Sequence, residues 1–600
     1  MSATVNEQAG AARASDRERP VPGGVATWAG IIGYPPGATI FPFTPGERIG
    51  LRNLGEFQVL MYRPLYWLGR NGQPGIDEDL SPAYLPEWSD DGRTATVTLK
   101  PWKWSNGEPI CADNVLFWVN MMVVKGDRYG AYARGYFPDN LVSYEKVAPD
   151  KVAFTFDKAY SRTWVLMNQF TLITPMPRAW DRTADGPANA SGDLADIPAV
   201  YDYLLEQHGP WAEEGNELRT KWPVSPVWSV VNGPWRLKEF TLDGTVTFVP
   251  NEHYCGPVKP KLDEFRQVAI PDDEYLLAAL RRGPAGPDSI SVGYLPYGLG
   301  TELIVDGANP LAEHYRLVPH NLPFLCYMPM NFENETVTGK IIRQTYFRQA
   351  LQLTLDQDTI IRDIFHGYAY RTSGPVPLVP DGEHVSPFVR ANPLRFDIVR
   401  ARALLADNGW DITSTPAVCV RPGSGPGCAG EGISAGDVLS VTVRYVDGRD
   451  SILRLLLLIQ ADAAKAGIEL RLEPVNGSVM IAEDHAPDSP KKKLWDMESW
   501  NGGWIFCGHP TGEMLFKSGT ISNFGHYSDP RADELIEQTV VSDDVGALHE
   551  YQDYIAMQVP SIWVPAFPFR LLEIASNLRG VEPLNPYGHL TPENWYYVEE

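Results

Sequence analysis

Residues 440–475 contain the pattern that most constrains the fold of this chain. Two short apolar segments, 441–445 and 468–474, flank an amphipathic stretch at 452–466 that has helical spacing and ends at Gly467. Strands joined through a helix run parallel, and the crossover is right-handed in nearly all folds. The pattern therefore predicts an α/β protein. Strand-rich stretches elsewhere predict that its sheets are mixed.

The rest of the chain alternates strand-like and helix-like segments without an internal repeat. At 600 residues, it has the length of about four domain-sized units. Strands are predicted at the start of the folded region (VATWAGIIGY and ATIFPF), at 94–99, throughout 228–270 and at 324–331. Helices are predicted at 111–124, 200–207, 272–282, 345–365 and 397–408. The 345–365 helix should carry Arg348, Asp356 and Asp358 on its polar side.

Charge and hydropathy exclude two classes of protein. The net charge is −24, and the only basic block is Lys491 to Lys493, whereas phosphate backbones require clustered cations. We therefore expect no nucleic-acid partner. No uninterrupted apolar run reaches 18 residues, so no membrane-spanning helix is predicted. The polar start has no signal-peptide core. This leaves two possibilities, a cytosolic protein or one whose leader has been removed.

Two of the six cysteines are candidates for a disulfide. Cys419 and Cys428 enclose eight residues of turn formers, VRPGSGPG, which offer little apolar surface for packing. A bridge across such a loop contributes about 2–3 kcal/mol in the chain-entropy view. We therefore predict a disulfide between them. It would favour an oxidising compartment.

Sequence motifs give no support for catalysis. Residues 432–436, GISAG, match the G-x-S-x-G nucleophile elbow, but a turn-rich loop precedes them where the elbow requires a strand. The glycine-rich 423–427 stretch lacks the Lys-Ser/Thr of a phosphate loop. The eleven histidines form no HExxH pattern, and no CxxC occurs. We predict no catalytic residue, no metal site and no cofactor.

A series of segments, in order from residue 21 to about 595, resembles the extracellular solute-binding proteins of family 5, which serve ABC importers of peptides, dipeptides and nickel. They are LSPAYLPEWSDDGRTATVTLKPWKWSNGEPICADNVLFW at 80–118, NGPWRLKEF at 232–240, PNEHYCGPVKPKLDEF at 250–265, FRQALQLTLDQDTII at 347–361, GYAYRTSGPVP at 367–377, FDIVRARALLADNGW at 396–410, IQADAAKAGIELRL at 459–472, SNFGHYSDPRADELIEQ at 522–538 and QVPSIWVP at 558–565. The loop from Cys419 onward is most similar to actinobacterial members.

The resemblance implies a two-lobed, periplasmic-binding-protein-like α/β fold with mixed sheets, a third subdomain and a hinge between the lobes. The expected boundaries are a disordered tail at 1–20, lobe I at 21–60 and 176–322, an extra subdomain at 61–175, lobe II at 323–566 and a return to lobe I at 567–600. Such receptors work as extracytoplasmic monomers beside ABC permease subunits. They are commonly lipid-anchored through a leader, which this sequence does not include.

The resemblance also implies a ligand site between the lobes. In peptide receptors of the family, a Trp is followed three residues later by an Asp that pairs with the amino terminus of the ligand. Trp504 matches the Trp, but Cys507 takes the place of the Asp, which leaves Glu513 as an alternative charge. A thiol cannot replace the charge-assisted hydrogen bonds of a carboxylate. The expected ligand-binding residues are Tyr34, Ile40, Phe41, Asn331, Trp500, Asn501, Gly503, Trp504, Cys507, His509 and Glu513.

Three functions are consistent with the sequence. The first is a transport receptor for an oligopeptide or peptide-like metabolite, for which a surplus of aromatic residues (18 Trp, 27 Tyr and 22 Phe) could supply adaptable apolar contacts. The second is the same scaffold with a saccharide or specialised metabolite stacked on Trp28, Trp102 or Trp504. The third is an enzyme built on this fold.

Overall fold

The computed structural model describes residues 19–30, 39–45, 51–186, 188, 196–210, 217–286, 289–296, 304, 308–448, 450–486, 488–500, 502–520 and 522–599. These residues form two α/β lobes, which confirms the predicted fold class.

Lobe I is built on a seven-stranded mixed sheet. Its strands, in spatial order, are Tyr315–His320, Arg570–Ala575, Val292–Tyr294, Val25–Ala29, Glu264–Val268, Val246–Pro250 and Trp235–Phe240. The central strand Val25–Ala29 runs parallel to both of its neighbours, and Arg570–Ala575 runs antiparallel. A small sheet of Pro20–Val21, Tyr596–Val598 and Leu578–Arg579 joins the two ends of the chain. Lobe I therefore contains segments from the beginning, middle and end of the chain.

An antiparallel subdomain extends lobe I. It consists of the strands Glu87–Trp88, Thr94–Thr98, Lys151–Phe156 and Leu141–Ala148, with the helix Ala112–Lys125 packed against them. The hairpin Trp67–Arg70 and Gln73–Asp77 lies beside it in the chain. The apolar side chains of the subdomain form one continuous core with lobe I, in which rings such as Trp118, Trp164 and Trp180 are fully buried. Much of the aromatic surplus therefore belongs to this core.

Lobe II contains the predicted strand–helix–strand unit. Ser440–Val446 pairs in parallel with Glu469–Val475 and with Met497–Ser499, and the helix Asp450–Lys465 connects the first two strands. A second sheet consists of Gly503–Ile505, Phe324–Pro329 and Ser561–Trp563, and Trp410–Asp411 pairs with Val418–Cys419. The parallel pairing of the unit is confirmed.

Two adjacent segments connect the lobes. Residues 321–323 link a lobe I strand to a lobe II strand, and residues 564–569 lead back. They run side by side, since the Phe569 amide donates to the His320 carbonyl at 2.9 Å. Two neighbouring connections of this kind permit hinge motion between the lobes.

The helices surround these sheets. The α-helices are Leu51–Asn53, Val59–Met61, Ala112–Lys125, Arg162–Trp164, Ile197–His208, Asp273–Arg281, Val337–Ile342, Thr345–Leu353, Gln357–Asp363, Pro387–Arg390, Ile398–Asp407, Asp450–Lys465, Gly477–Met480, Pro530–Val541 and Val545–Gln558. The π-helical turns are Leu54–Gln58, Val165–Gln169 and Ile481–His485, and the 3-10 turns are Gly126–Arg128, Phe170–Leu172, Arg178–Trp180, Glu217–Val224 and Pro592–Asn594. Within the described ranges, none of the helices has the length and apolar character needed to cross a bilayer.

The prediction of one helix at 345–365 is wrong. The helix Thr345–Leu353 ends, and Gln357–Asp363 begins after Asp356, whose carboxylate accepts the amide of Thr359 at 3.1 Å as an N-cap. Arg348 is not on a polar surface. It is buried and donates to the carbonyls of Gln558 and Ile342, both at 2.8 Å. These carbonyl partners satisfy the buried guanidinium, a possibility that helical periodicity alone does not reveal.

Two further predictions fail. The ATIFPF stretch forms no strand where it is described, at residues 39–43. Cys419 and Cys428 are both free thiols, so the predicted bridge is not formed. Backbone hydrogen bonds fix the loop instead, from Ala429 to Arg421 at 2.9 Å and from Gly430 to Gly423 at 2.8 Å. Without the bridge, these two cysteines do not favour an oxidising compartment.

Candidate functional site

Residues 503–510 contain several of the residues that the sequence predicts to bind ligand and are here called the ligand segment. They begin in lobe II and extend to the junction of the lobes. The strand Gly503–Ile505 forms the edge of its sheet and pairs antiparallel with Phe324–Cys326, with Trp504 opposite Leu325. The Phe506 amide then donates to the carbonyl of Pro323, in the first connection between the lobes, at 2.9 Å. The ligand segment therefore lies beside the hinge.

Trp504 is half-buried in this arrangement. Its ring packs against the apolar cluster of lobe II that contains Leu325, Phe506 and Trp563, and part of its surface stays accessible. Gly503 is needed for close packing, because a Cβ atom there would lie 1.8 Å from the Leu325 carbonyl oxygen. The pair thus fixes the edge strand tightly while leaving an aromatic surface available.

Cys507 lies in the gap between the lobes. Its side chain is exposed to solvent, yet the surrounding protein raises the pKa of the thiol to about 11 through desolvation. Tyr129 and Tyr587 of lobe I are close enough to interact with it electrostatically. Solvent access combined with strong desolvation is the environment of a deep cleft. The thiol stays neutral there and offers no negative charge to a ligand.

The alternative carboxylate, Glu513, already has a protein partner. It is buried, and its Oε1 accepts the indole N–H of Trp164, from the subdomain of lobe I, at 2.8 Å. Its Oε2 has no hydrogen-bond partner in the described part of the chain. Glu513 therefore joins the two lobes in this arrangement.

Other contacts across the gap come from the same stretch of lobe I. The Ser161 hydroxyl donates to the Asp543 carboxylate at 2.7 Å, and the Thr163 amide donates to the same oxygen at 3.1 Å. Asn168 hydrogen-bonds to the backbone of His509, and burial lowers the pKa of that histidine to about 4, so it is neutral. Sequence reasoning missed Asn168 and Trp164 because neither belongs to a recognisable motif.

A cavity of about 350 Å³ opens beside these contacts, with walls from both lobes. Lobe I contributes Ser161, Met167 and Tyr587, and lobe II contributes Phe506 and His509. Among the described residues that line it, four are carboxylic (Asp381, Glu383, Asp543 and Asp544) and none is Lys or Arg. Asp381 is paired with Arg390, and the other three leave an excess of carboxylates on this side of the space between the lobes.

Several residues expected at the site lie elsewhere. Ile40 and Phe41 are fully buried, and the Phe41 ring packs against Trp180 and Trp228 in the lobe I core. Asn331 is also fully buried and uses its amide to bind the carbonyls of Lys492 and Trp495, both at 3.0 Å. Tyr34 and Asn501 lie outside the described residues. The structure therefore brings together Gly503, Trp504, Cys507, His509 and Glu513 from the expected set.

Trp500 belongs to a polar cluster of lobe II. Its indole N–H donates to Glu498 Oε2 at 2.9 Å, and His485 Nε2 lies at the same distance from that oxygen. Asp484 and Glu498 are both fully buried, and burial raises the pKa of each carboxyl to about 7. The Arg444 guanidinium pairs with Asp484. Two interacting buried carboxyls beside one arginine are most stable when they share one proton between them.

This pair predicts a pH dependence of stability. Because the folded pKa values are raised, the stabilising contribution is complete below the unfolded value near 4 and is lost as the pH rises through about 7. The unfolding free energy of the parent should fall between pH 5 and pH 8. In Glu498→Gln this fall should be smaller by about 2–3 kcal/mol. Urea unfolding of both proteins at the two pH values measures this. An identical pH dependence in the variant would contradict a shared proton.

No metal centre is found in the part of the chain that the structure describes, where no three His, Cys, Asp or Glu side chains converge as ligands. Trp28 and Trp102, considered above for stacking on a sugar, are buried in lobe I and lack a free face. Only Trp504 of those three rings remains accessible.

Solved structures of two-lobed binding proteins share this fold. The oligopeptide-binding protein AppA of Bacillus subtilis, in complex with a nonapeptide, aligns with 97% of this chain and 100% of its own at a TM-score of 0.64 and 20% identity. The ABC transporter substrate-binding protein CtaP of Listeria monocytogenes aligns with 96% of this chain and 100% of its own at a TM-score of 0.69 and 19% identity. This chain thus shares the fold of these two proteins.

Sequence comparison defines the family. Residues 73–522 match the bacterial extracellular solute-binding proteins, family 5. Oligopeptide-binding protein AppA of Bacillus subtilis is 22% identical over 82% of this chain and 78% of its own length. Protein XP55 of Streptomyces lividans is 24% identical over 80% of this chain and 76% of its own length. The chain belongs to the family 5 extracellular solute-binding proteins, whose members bind ligands rather than transform them.

Proposed function

We propose that this protein is the substrate-binding receptor of an ABC importer, and that it captures an oligopeptide or peptide-like metabolite between its lobes. The observation that carries the proposal is the position of the ligand segment, at the hinge of a family 5 fold. Relatives named for oligopeptide binding, such as AppA, support a peptide ligand.

The edge strand Gly503–Ile505 gives a physical reason to favour a peptide. One side of this strand pairs with Phe324–Cys326, whereas no described strand pairs with the other side. An extended peptide can add to such an edge through main-chain hydrogen bonds, which are independent of ligand sequence. Trp504 would add apolar contact from its accessible face.

Recognition of a free amino terminus at Cys507 is not supported by the site. The thiol is neutral, and Glu513 is buried with one of its carboxylate oxygens held by the Trp164 indole. A ligand with a blocked amine fits this arrangement better, as does a ligand whose free amine lies at the cavity lined by carboxylates. A non-peptide ligand is the second candidate. The neutral thiol favours it, and the fold also occurs in a periplasmic EDTA-binding protein.

The proposed setting follows the family. We place the protein outside the cytoplasm as a monomer that delivers its ligand to permease subunits, and a lipid anchor supplied by a leader would keep it at the membrane. The family is extracellular, which supports the location. Detergent extraction of the native protein, followed by mass spectrometry of its amino terminus, tests the anchor.

Ligand-dependent closure is the expected behaviour of the two lobes. Protein stripped of ligand by unfolding and refolding should be more extended. Adding a mixture of synthetic peptides should then lower the radius of gyration measured by small-angle scattering. The melting temperature should rise with peptide concentration, by the equivalent of about 2.7 kcal/mol at 100 times the dissociation constant. A peptide that raises the melting temperature without changing the scattering would contradict capture by closure.

A further inference from the structure

Asn168 holds the ligand segment from the opposite lobe. Its Oδ1 accepts the backbone N–H of His509 at 2.6 Å, and its Nδ2 donates to the His509 carbonyl at 3.1 Å. One amide side chain thus satisfies both backbone groups of a single residue, as a neighbouring strand would. Nδ2 also lies 3.3 Å from the Thr511 hydroxyl.

The local fold presents Asn168 towards lobe II. It lies in the π-helical turn Val165–Gln169, and such turns re-aim side chains and recur at functional sites. The turn is anchored on the lobe I side, where Gln169 Oε1 accepts the Phe137 amide at 2.8 Å and the Thr171 hydroxyl donates to the Met167 carbonyl at 2.7 Å. The amide of Asn168 therefore projects from a fixed base.

Gly508 provides the complementary surface on lobe II. A Cβ atom at this position would lie 2.2 Å from Asn168 Oδ1 and 2.8 Å from the Met167 carbonyl oxygen. The second of these atoms belongs to the backbone, so rotation of a side chain cannot relieve the clash. The absence of a side chain at 508 is what allows the two lobes to approach this closely.

We infer that Asn168 and Gly508 form an interlobe latch, which sets the population of the closed state and aligns the ligand segment. Asn168 then controls ligand retention as a positioning residue, without contacting the ligand. Closure forms the two hydrogen bonds to His509, and opening exposes these groups to water. A ligand bound to the segment therefore dissociates only after the latch opens. The part of the inference that concerns ligand rests on the proposed function, whereas the latch itself does not.

Asn168→Ala is the main test, with two controls. Lys158→Ala removes an exposed interlobe ion pair, in which Lys158 Nζ lies 2.5 Å from Glu537 Oε1. Asn408→Ala removes a side-chain amide that, among the described residues, bonds within its own lobe, to the Leu404 carbonyl at 2.8 Å. The ligand-stripped protein is more open on average but still populates the closed state in part. In this state we expect Asn168→Ala to increase the radius of gyration further and to raise the exchange rate of the His509 amide, whose acceptor it removes. Both controls should match the parent. Gly508→Ala should reproduce the opening because it separates the same surfaces.

The peptide arm uses a synthetic nonapeptide library with free and acetylated amino termini. For the tightest member, Asn168→Ala should raise the dissociation rate about tenfold while the melting temperature of the ligand-free protein stays unchanged. Unchanged scattering and unchanged His509 exchange in Asn168→Ala would overturn the latch. If no library member binds, the peptide assignment fails, and the two ligand-free measurements still decide the latch. An equal opening in Lys158→Ala would also overturn it, because the effect would then not be specific to Asn168.

Discussion

Glu593→Gln is expected to destabilise lobe I by about 3–5 kcal/mol. Glu593 and Arg63 form an ion pair in which both side chains are almost completely buried. The Arg63 guanidinium also lies over Trp67, with Cζ 3.9 Å from the ring centroid. Removing the negative charge leaves a buried cation without its counter-ion. Glu593 binds Nη2, and Nε and Nη1 of Arg63 have no hydrogen-bond partner among the described residues.

A matched control is available in the same lobe. Arg316 and Glu582 form an ion pair at 3.1 Å with 34% and 44% of their side chains exposed, so Glu582→Gln should cost less than about 1 kcal/mol. Urea unfolding of the parent and the two variants gives the comparison. Equal effects of the two substitutions would contradict the docking of the carboxyl-terminal segment into the core of lobe I.

Gly503→Ala is expected to abolish pairing of the edge strand and to weaken ligand binding by more than tenfold. The added Cβ would lie 1.8 Å from the Leu325 carbonyl oxygen and 2.9 Å from the Cys326 Cα, and both atoms belong to the backbone. The strand must therefore move away from its neighbour, and overpacking of this kind costs about 1–3 kcal/mol or more in stability. Trp504 would lose its position with it.

The adjacent glycine provides the control. At Gly502, the nearest atom to an added Cβ is the Trp500 carbonyl oxygen at 3.9 Å, and neither glycine has a positive φ that would itself exclude alanine. Gly502→Ala should keep both the stability and the affinity of the parent. Melting temperatures and titrations with the library-selected peptide compare the two. Similar behaviour of the variants would show that the edge strand does not organise the site.

The fold could be predicted from the sequence because its signals are local. The 440–475 stretch encodes its parallel pairing through an apolar pattern and a terminating glycine, both of which depend on neighbouring residues. The segments that resemble family 5 proteins predicted the two-lobed arrangement. By contrast, the break after Leu353 depends on the cap at Asp356. The burial of Arg348 depends in part on the carbonyl of Gln558, which is 210 residues away in the chain.

The site was less predictable because it is assembled by the tertiary fold. Phe41 and Trp504 are both aromatic, yet one lies in the ring-rich core of lobe I and the other keeps an accessible face. Composition does not distinguish these environments. Asn168 is an ordinary polar residue in sequence, and its role arises only from a π-helical turn in one lobe facing a glycine in the other.

Native mass spectrometry of the ligand-stripped protein with the nonapeptide library tests the central claim most directly, since it detects the captured ligand itself. The account predicts one retained peptide per protein chain and loss of that complex in Gly503→Ala but not in Gly502→Ala. A protein that retains no peptide, or one that binds equally well in both glycine variants, would contradict capture of a peptide at the ligand segment.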